Sequence, residues 1–194
     1  MNKLDFNSPK LWGQWVRLTW LGWALGVPCI VVLALAGEAV GIGGVQVLVG
    51  AGMGAGVGFM QGRALKNVLH AFAPWFWSCV AGLGAPFLVL DIANAMGWKL
   101  PYALEAYVAL GGLIVGVWQW LLLRVRFHNA GWWVLASALG WGLAAGAAAL
   151  ANAQPLRGIW GALLFLAITA AGGLILGAVT GLALARRLRE KTSG

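Results

Sequence analysis

Apolar residues run along this chain in six stretches of about 20 residues, separated by short segments that gather nearly all of the charge. A hydrocarbon layer about 30 Å thick needs roughly 20 apolar residues in a helix that rises about 1.5 Å per residue. The pattern therefore predicts spans near Arg17–Ala36, Val40–Met60, Ala71–Leu90, Tyr102–Leu123, Gly131–Leu150 and Ile159–Ala185. A transmembrane β-barrel would alternate apolar and polar residues in segments of about ten, and these runs are too long and too uniform for that. The loops are short, so neighbouring helices are expected to run antiparallel. The predicted fold class is all-α, a polytopic transmembrane bundle of six helices, with residues 1–194 forming a single transmembrane domain. The first stretch is longer than the apolar region of a signal peptide and is followed by five more, so it is read as a retained span.

Self-comparison adds an internal architecture. An offset of 58 residues aligns Gly54 with Gly112, Gly58 with Gly116, Gln61 with Gln119, Lys66 with Arg124, His70 with His128, Trp75 with Trp133 and Gly82 with Gly140. Trp15, Gly22 and Trp23 repeat the spacing of Trp133, Gly140 and Trp141, while Gly173, Gly177 and Thr180 repeat that of Gly112, Gly116 and Gln119. The unit is a helical hairpin that opens on Trp followed seven residues later by Gly and closes on Gly-x-x-x-Gly-x-x-Gln/Thr. Three copies, about 15–65, 75–123 and 133–184, follow one another head to tail. Such repeats are related by an axis along the membrane normal.

The string from Gly116 through Gln119 to Arg124, followed by Ala130 to Trp133 and Gly140 to Gly142, resembles a group of small Gly- and Trp-rich bacterial membrane proteins built of repeated helical hairpins. The resemblance implies a membrane bundle and brings no activity with it. Gly62 stands where Trp120 stands in the second copy, and Thr180 where Gln119 stands, so the first and third copies depart from the pattern.

Composition and charge sharpen this picture. The chain is 61% hydrophobic and 9% charged, whereas soluble domains average about 45–50% and about 25%. Eleven of the 13 cations fall on one side of the predicted spans; only Lys99 and Arg157 fall on the other. With Asp5 and Glu190 counted on the first side and Glu38, Asp91 and Glu105 on the second, the balance is +9 against −1. Lys and Arg in short loops are retained on the cytoplasmic side, which predicts both termini cytoplasmic in a bacterial inner membrane. The net charge of +8 is then a signature of topology. No basic extramembrane domain exists to bind nucleic acid.

The candidate residues fall into three sets. Gly50, Gly54, Gly58 and Gly62 share one helix face, as do Gly112 with Gly116 and Gly173 with Gly177 and Gly181. Close backbone approach along such faces drives helix association in lipid, so they are predicted helix interfaces, within the chain or toward a separate subunit. Gln61, Gln119 and Thr180 form a candidate polar pocket or, alternatively, hydrogen bonds that fix helix register. His70 and His128 occupy equivalent loop positions and are ligand candidates for haem, pigment or zinc, but no carboxylate or thiol stands beside them at ligand spacing. Trp12, Trp15, Trp20, Trp75, Trp77, Trp118, Trp120, Trp132 and Trp133 are expected to form an aromatic belt at the cytoplasmic boundary, with Trp98 and Trp160 at the other. Cys29 and Cys79 lie in different spans and show no metal or redox spacing.

No set of residues with the spacing of a catalytic triad, paired acid and base, phosphate loop or zinc site is legible, so the chain is not expected to be an enzyme. Three functions stay open. The first is a non-catalytic membrane subunit or scaffold that packs against partner helices or copies of itself; the alternative is a carrier component for a small molecule or lipid; the third is a pigment- or haem-binding protein. No cofactor is expected under the first two, and membrane lipid is the expected surrounding.

Overall fold

The computed structural model describes residues 10–101, 103–153, 158–186 and 189–190. Lys3, Asp5, Arg157, Arg187 and Lys191, which enter the charge count, lie outside the described residues. The chain forms α1 (Leu11–Ala39), α2 (Val47–Leu69), α3 (Phe72–Ala95), α4 (Leu104–Leu123), α5 (Trp132–Ala153) and α6 (Gly158–Arg186). Two short strands, β1 (Phe127–His128) and β2 (Arg189–Glu190), pair antiparallel and tie the α4–α5 loop to the segment after α6.

Five of these helices, α1, α3, α4, α5 and α6, are long and apolar enough to cross a membrane. The 23-residue α2 is long enough but carries glycine at six positions, which lowers its hydropathy. It is also displaced from the predicted Val40–Met60. Gly41 and Gly44 adopt positive φ and turn the chain before Val47, and the helix then runs on past Arg63 to Leu69. Hydropathy alone read the apolar loop as helix and the amphipathic last turns as loop. His70 ends α2 in the left-handed region, with its N–H donated to the Lys66 carbonyl.

Each helix packs against its neighbours in sequence, and α6 packs against α1, so the six close into a ring. Glycine spacing explains both kinds of seam. Within the hairpins, a methyl group built on Gly22 would lie 2.8 Å from the Val57 Cα, one on Gly82 2.7 Å from Val115 Cγ2, and one on Gly140 3.0 Å from Leu176 Cδ1. Between hairpins, the glycines of the returning helices meet the next outgoing helix. Gly54 abuts the Cys79 carbonyl and Val80 on α3, Gly112 abuts Trp141 and Ser137 on α5, and Gly173 abuts Trp23 and Trp20 on α1. The same three contacts recur at equivalent positions of the repeat, and the last of them closes the ring.

The core is layered. Trp15, Trp75 and Trp133 lie in one layer at 0%, 0% and 1% exposure. Eight residues further along the same helices, Trp23, Leu83 and Trp141 form the next, with the Trp23 and Trp141 rings 5.9 Å apart. At the opposite end of the bundle, both carboxylate oxygens of Asp91 on α3 accept from the first free amides of α2, Gln46 N at 2.9 Å and Val47 N at 2.8 Å. The N-cap Gln46 makes no such bond with its own side chain, so a neighbouring helix supplies the cap.

Candidate functional site: a threefold tryptophan and amide ring

The three layered tryptophans come from the first turns of α1, α3 and α5, at the cationic end of each hairpin. Their ring centroids lie 6.4 Å (Trp15 to Trp75), 5.8 Å (Trp15 to Trp133) and 5.6 Å (Trp75 to Trp133) apart, the first two pairs edge to face. Aromatic pairs at this spacing each contribute about 0.5–1.5 kcal/mol beyond the area they bury. This corrects the expected belt. Trp12, Trp20, Trp77, Trp118 and Trp132 are exposed as expected, while Trp15, Trp75 and Trp133 fill the centre of the bundle.

An indole N–H only donates, so each buried tryptophan requires an acceptor. Trp75 Nε1 donates to Gln61 Oε1 at 3.3 Å, Trp133 Nε1 to Gln119 Oε1 at 2.8 Å, and Trp15 Nε1 to Thr180 Oγ1 at 2.9 Å. In every case the donor belongs to one hairpin and the acceptor to the returning helix of the hairpin before it. The third bond joins the third hairpin back to the first. Gln61, Gln119 and Thr180 are therefore brought to one layer, but onto three helices facing three tryptophans.

The amide nitrogens are engaged as well. Gln61 Nε2 donates to Thr19 Oγ1 at 3.1 Å, and Gln119 Nε2 approaches Cys79 Sγ at 3.1 Å. Thr180, lacking an amide, donates to the Leu176 carbonyl at 2.6 Å, and Ser137 turns to the Gly112 carbonyl at 2.7 Å. Thr19, Cys79 and Ser137 each stand four residues after a ring tryptophan, one helical turn along the same face. Thr19 and Ser137 are not among the residues singled out from the sequence, and Cys79 is weighed there only as a metal or redox ligand. The signal was present as Trp-x-x-x-(Thr/Cys/Ser) three times, but three different residue types do not align by identity.

The glycine faces are occupied inside the chain. Methyl groups on Gly50, Gly58 and Gly62 would meet α3 at Phe87 and Leu83, at Cys79, and at Phe72; one on Gly116 would meet Val134 and Ser137; those on Gly177 and Gly181 would meet Val16 and Thr19, and Trp12 and Trp15. His70 and His128 are both exposed, the first as the α2 C-cap and the second in β1 opposite Arg189. No group of three or more metal-binding side chains forms among the described residues.

Cations frame the same end as the ring. Lys10, Arg17, Arg63, Lys66, Arg124 and Arg126 are exposed there. Arg124 lies 5.2 Å from the centre of the Trp120 ring, and Arg126 Nη1 donates to the Val68 carbonyl at 2.8 Å. The surface includes an apolar groove of about 280 Å³ between α5 and α6 at the cationic end and a hollow of about 380 Å³ bounded by Gln46, Leu90, Asn94 and Leu100 at the other. Comparison with protein-family models, curated proteins and solved structures gives no match. The arrangement, a membrane-embedded helical protein with a saturated polar ring, must be read on its own chemistry.

Proposed function

We propose that the chain is a six-span integral membrane protein of the bacterial inner membrane, both termini cytoplasmic, acting as a non-catalytic subunit that packs against partner transmembrane helices or a second copy. One observation carries the reading: the interior is closed on itself. Three tryptophans fill the centre, the ring glutamines are engaged at both ends of their amides, and the glycine faces are covered by the chain's own helices. Contact with anything else falls to the outer surface. The same closure disfavours the carrier reading, which needs polar groups turned toward a cavity.

The sixth span is α2. Glycine lowers its hydropathy, but the helix is wedged between α1 and α3, with Gly52 and Gly56 facing α1 and Gly50, Gly54 and Gly58 facing α3. A helix screened in this way exposes little of its backbone to lipid and does not depend on its own side chains for apolarity.

The outer surface is uneven. Only 22% of the most apolar stretch of α1 and 22% of that of α6 is buried, against 50%, 33% and 39% for α3, α4 and α5. The exposed residues include Val27, Val31, Val32 and Leu35 on α1 and Ile159, Leu163, Leu164 and Leu166 on α6, all in the halves remote from the tryptophan ring. These two helices bound the place where a partner helix fits. Photo-crosslinking residues placed at Val32 and Leu163 in cells are expected to give one discrete protein adduct, while Leu113 on α4 gives only lipid adducts. An adduct of twice the chain mass identifies a second copy. Lipid adducts alone at all three positions would remove the subunit reading.

A further inference from the structure

The repeat gives the three hairpins equivalent outer seams at the cationic end, and the chain furnishes them differently. In the third hairpin, Trp132, Leu135 and Leu182 help to line the apolar groove between α5 and α6. At the same places the second hairpin has Pro74, Trp77 and Leu121, and the first has Gln14, Arg17 and Arg63. Only the seam between α1 and α2 puts charge where the other two put apolar side chains. Cations in loops are enough to bias a topology. From Leu11 to Arg17, and again from Arg63 to Leu69, the helix rises about 9 Å at roughly 1.5 Å per residue, so both arginines stand well inside their helices.

The two arginines leave the bundle at one level. Thr19 on α1 and Gln61 on α2 are joined across the seam at 3.1 Å. Arg17 lies two residues before the first and Arg63 two residues after the second, and because the helices run antiparallel both steps lead toward the cationic end. Two residues turn a helix through about 200°, so side chains two places from an inward bond point outward. Both arginines are exposed accordingly. Gly22, Gly52 and Gly56 draw the two backbones close, which sets the guanidinium groups on adjoining, tightly packed helices. Neither makes a hydrogen bond or ion pair with another described residue. The described anions Glu38, Asp91 and Glu105 belong to the other end of the bundle. Gln14, one turn from Arg17 on the same stripe, has an Oε1 that no donor reaches among the described residues. Just deeper in the membrane the two helices expose Trp20, Leu21, Leu25 and Phe59.

We propose that the α1/α2 seam binds the phosphate of an anionic phospholipid between Arg17 and Arg63, with its acyl chains laid against the apolar surface at Leu21 and Leu25. Two like charges side by side repel, and a phosphate between them removes that cost while accepting charge-assisted hydrogen bonds from both guanidinium groups. Basic recesses between transmembrane helices are suited to lipid headgroups. The apolar surface directly below the arginines favours a phosphate that carries acyl chains over a free one. A turn of the Gln14 amide lets a headgroup hydroxyl supply the donor that its oxygen lacks. The inference rests on α2 crossing the membrane beside α1, as proposed above, and is independent of any partner in the remote halves of α1 and α6.

The test places the full chain in nanodiscs of phosphatidylglycerol and phosphatidylcholine in equal amounts with matched chains, and reads retained lipid by native mass spectrometry. The wild type is expected to keep one phosphatidylglycerol, preferred about 25-fold, roughly fivefold for each of two nearby cations. Arg17→Leu with Arg63→Leu copies Leu135 and Leu182 of the third hairpin and is expected to lower that preference about tenfold or more. Arg124→Gln with Arg126→Gln removes the same charge from the same end and is expected to lower it less than about twofold. If the double leucine variant does not fold, Arg63→Leu alone, with a loss of about fivefold, carries the same test. Inorganic phosphate in excess, at constant ionic strength, is expected to leave the lipid in place. The proposal is overturned if wild type keeps both lipids alike, if a folded leucine variant keeps the full preference, if the control pair lowers it as much, or if phosphate displaces the lipid, which makes a soluble anion the occupant. Impermeant thiol labelling in vesicles, with cysteines at Ile42 and His70 in a chain lacking Cys29 and Cys79, separates the two readings. Labelling from opposite sides leaves a failed lipid test to overturn the site alone; labelling from one side refutes the six-span reading and the site with it.

Discussion

Replacing Trp133 by Phe tests the tryptophan ring at its shortest bond. The substitution keeps an aromatic ring in a site that is 1% exposed but deletes the N–H that Gln119 Oε1 accepts at 2.8 Å. Gln119 is itself 1% exposed, so its oxygen is left without a donor and out of reach of water. An orphaned buried acceptor costs about 1–3 kcal/mol. The smaller ring also loosens the edge contacts with Trp15 and Trp75, a further loss of about 1 kcal/mol. Trp133→Phe should therefore destabilise the bundle by about 2–4 kcal/mol. Adding Gln119→Leu removes the orphan and should return part of that loss, because deleting both partners of a bond is far less damaging than deleting one. Interhelical bonds in membranes average about 0.6 kcal/mol and reach about 1.7, so the coupling in a double-mutant cycle should fall in that range. Unfolding in mixed micelles followed by circular dichroism provides the assay. Trp75→Phe with Gln61→Leu should show the weaker coupling, since that bond is 3.3 Å long. Zero coupling at Trp133 and Gln119, with losses that merely add, would refute the hydrogen-bonded ring.

Other outcomes follow from named contacts. Gly54→Ala should destabilise by about 1–3 kcal/mol in the same assay, since the new methyl meets the backbone of Cys79 and Val80, which cannot swing aside. Gly84→Ala, whose nearest neighbour is 3.5 Å away, should be neutral or stabilising by up to about 1 kcal/mol through helix propensity. Asp91→Ala should cost about 1–2 kcal/mol and speed hydrogen exchange at the first amides of α2, leaving exchange near Gln119 unchanged. In right-side-out vesicles of a variant lacking Cys29 and Cys79, a membrane-impermeant thiol reagent should label a cysteine at Lys99 and spare one at Asn129; the reverse pattern would invert the proposed topology.

The sequence by itself determined the solvent and the unit of construction. Long apolar runs and 9% charge leave lipid as the surrounding, and within lipid a helix is what satisfies the backbone, so an all-α bundle was legible from composition and spacing. The hairpin repeat was legible because glycine and tryptophan recur at fixed offsets. Tertiary structure decided what those residues face. The same indole suits a headgroup boundary or a bundle centre that offers an acceptor, and only packing separates Trp15, Trp75 and Trp133 from Trp12, Trp77 and Trp132. Hydropathy could not place the start of α2, because Val40 to Val45 is apolar whether it coils or turns, and the positive φ of Gly41 and Gly44 is a local choice fixed by the fold. The closing bond from Trp15 to Thr180 spans 165 residues. Its donor is a tryptophan like the other two and its acceptor a threonine at the place the glutamines hold, and although the repeat aligns both residues, spacing within one hairpin does not reveal that they meet. That closure is a property of three hairpins packed together, and it turns the predicted polar pocket into the tie that holds the last helix to the first.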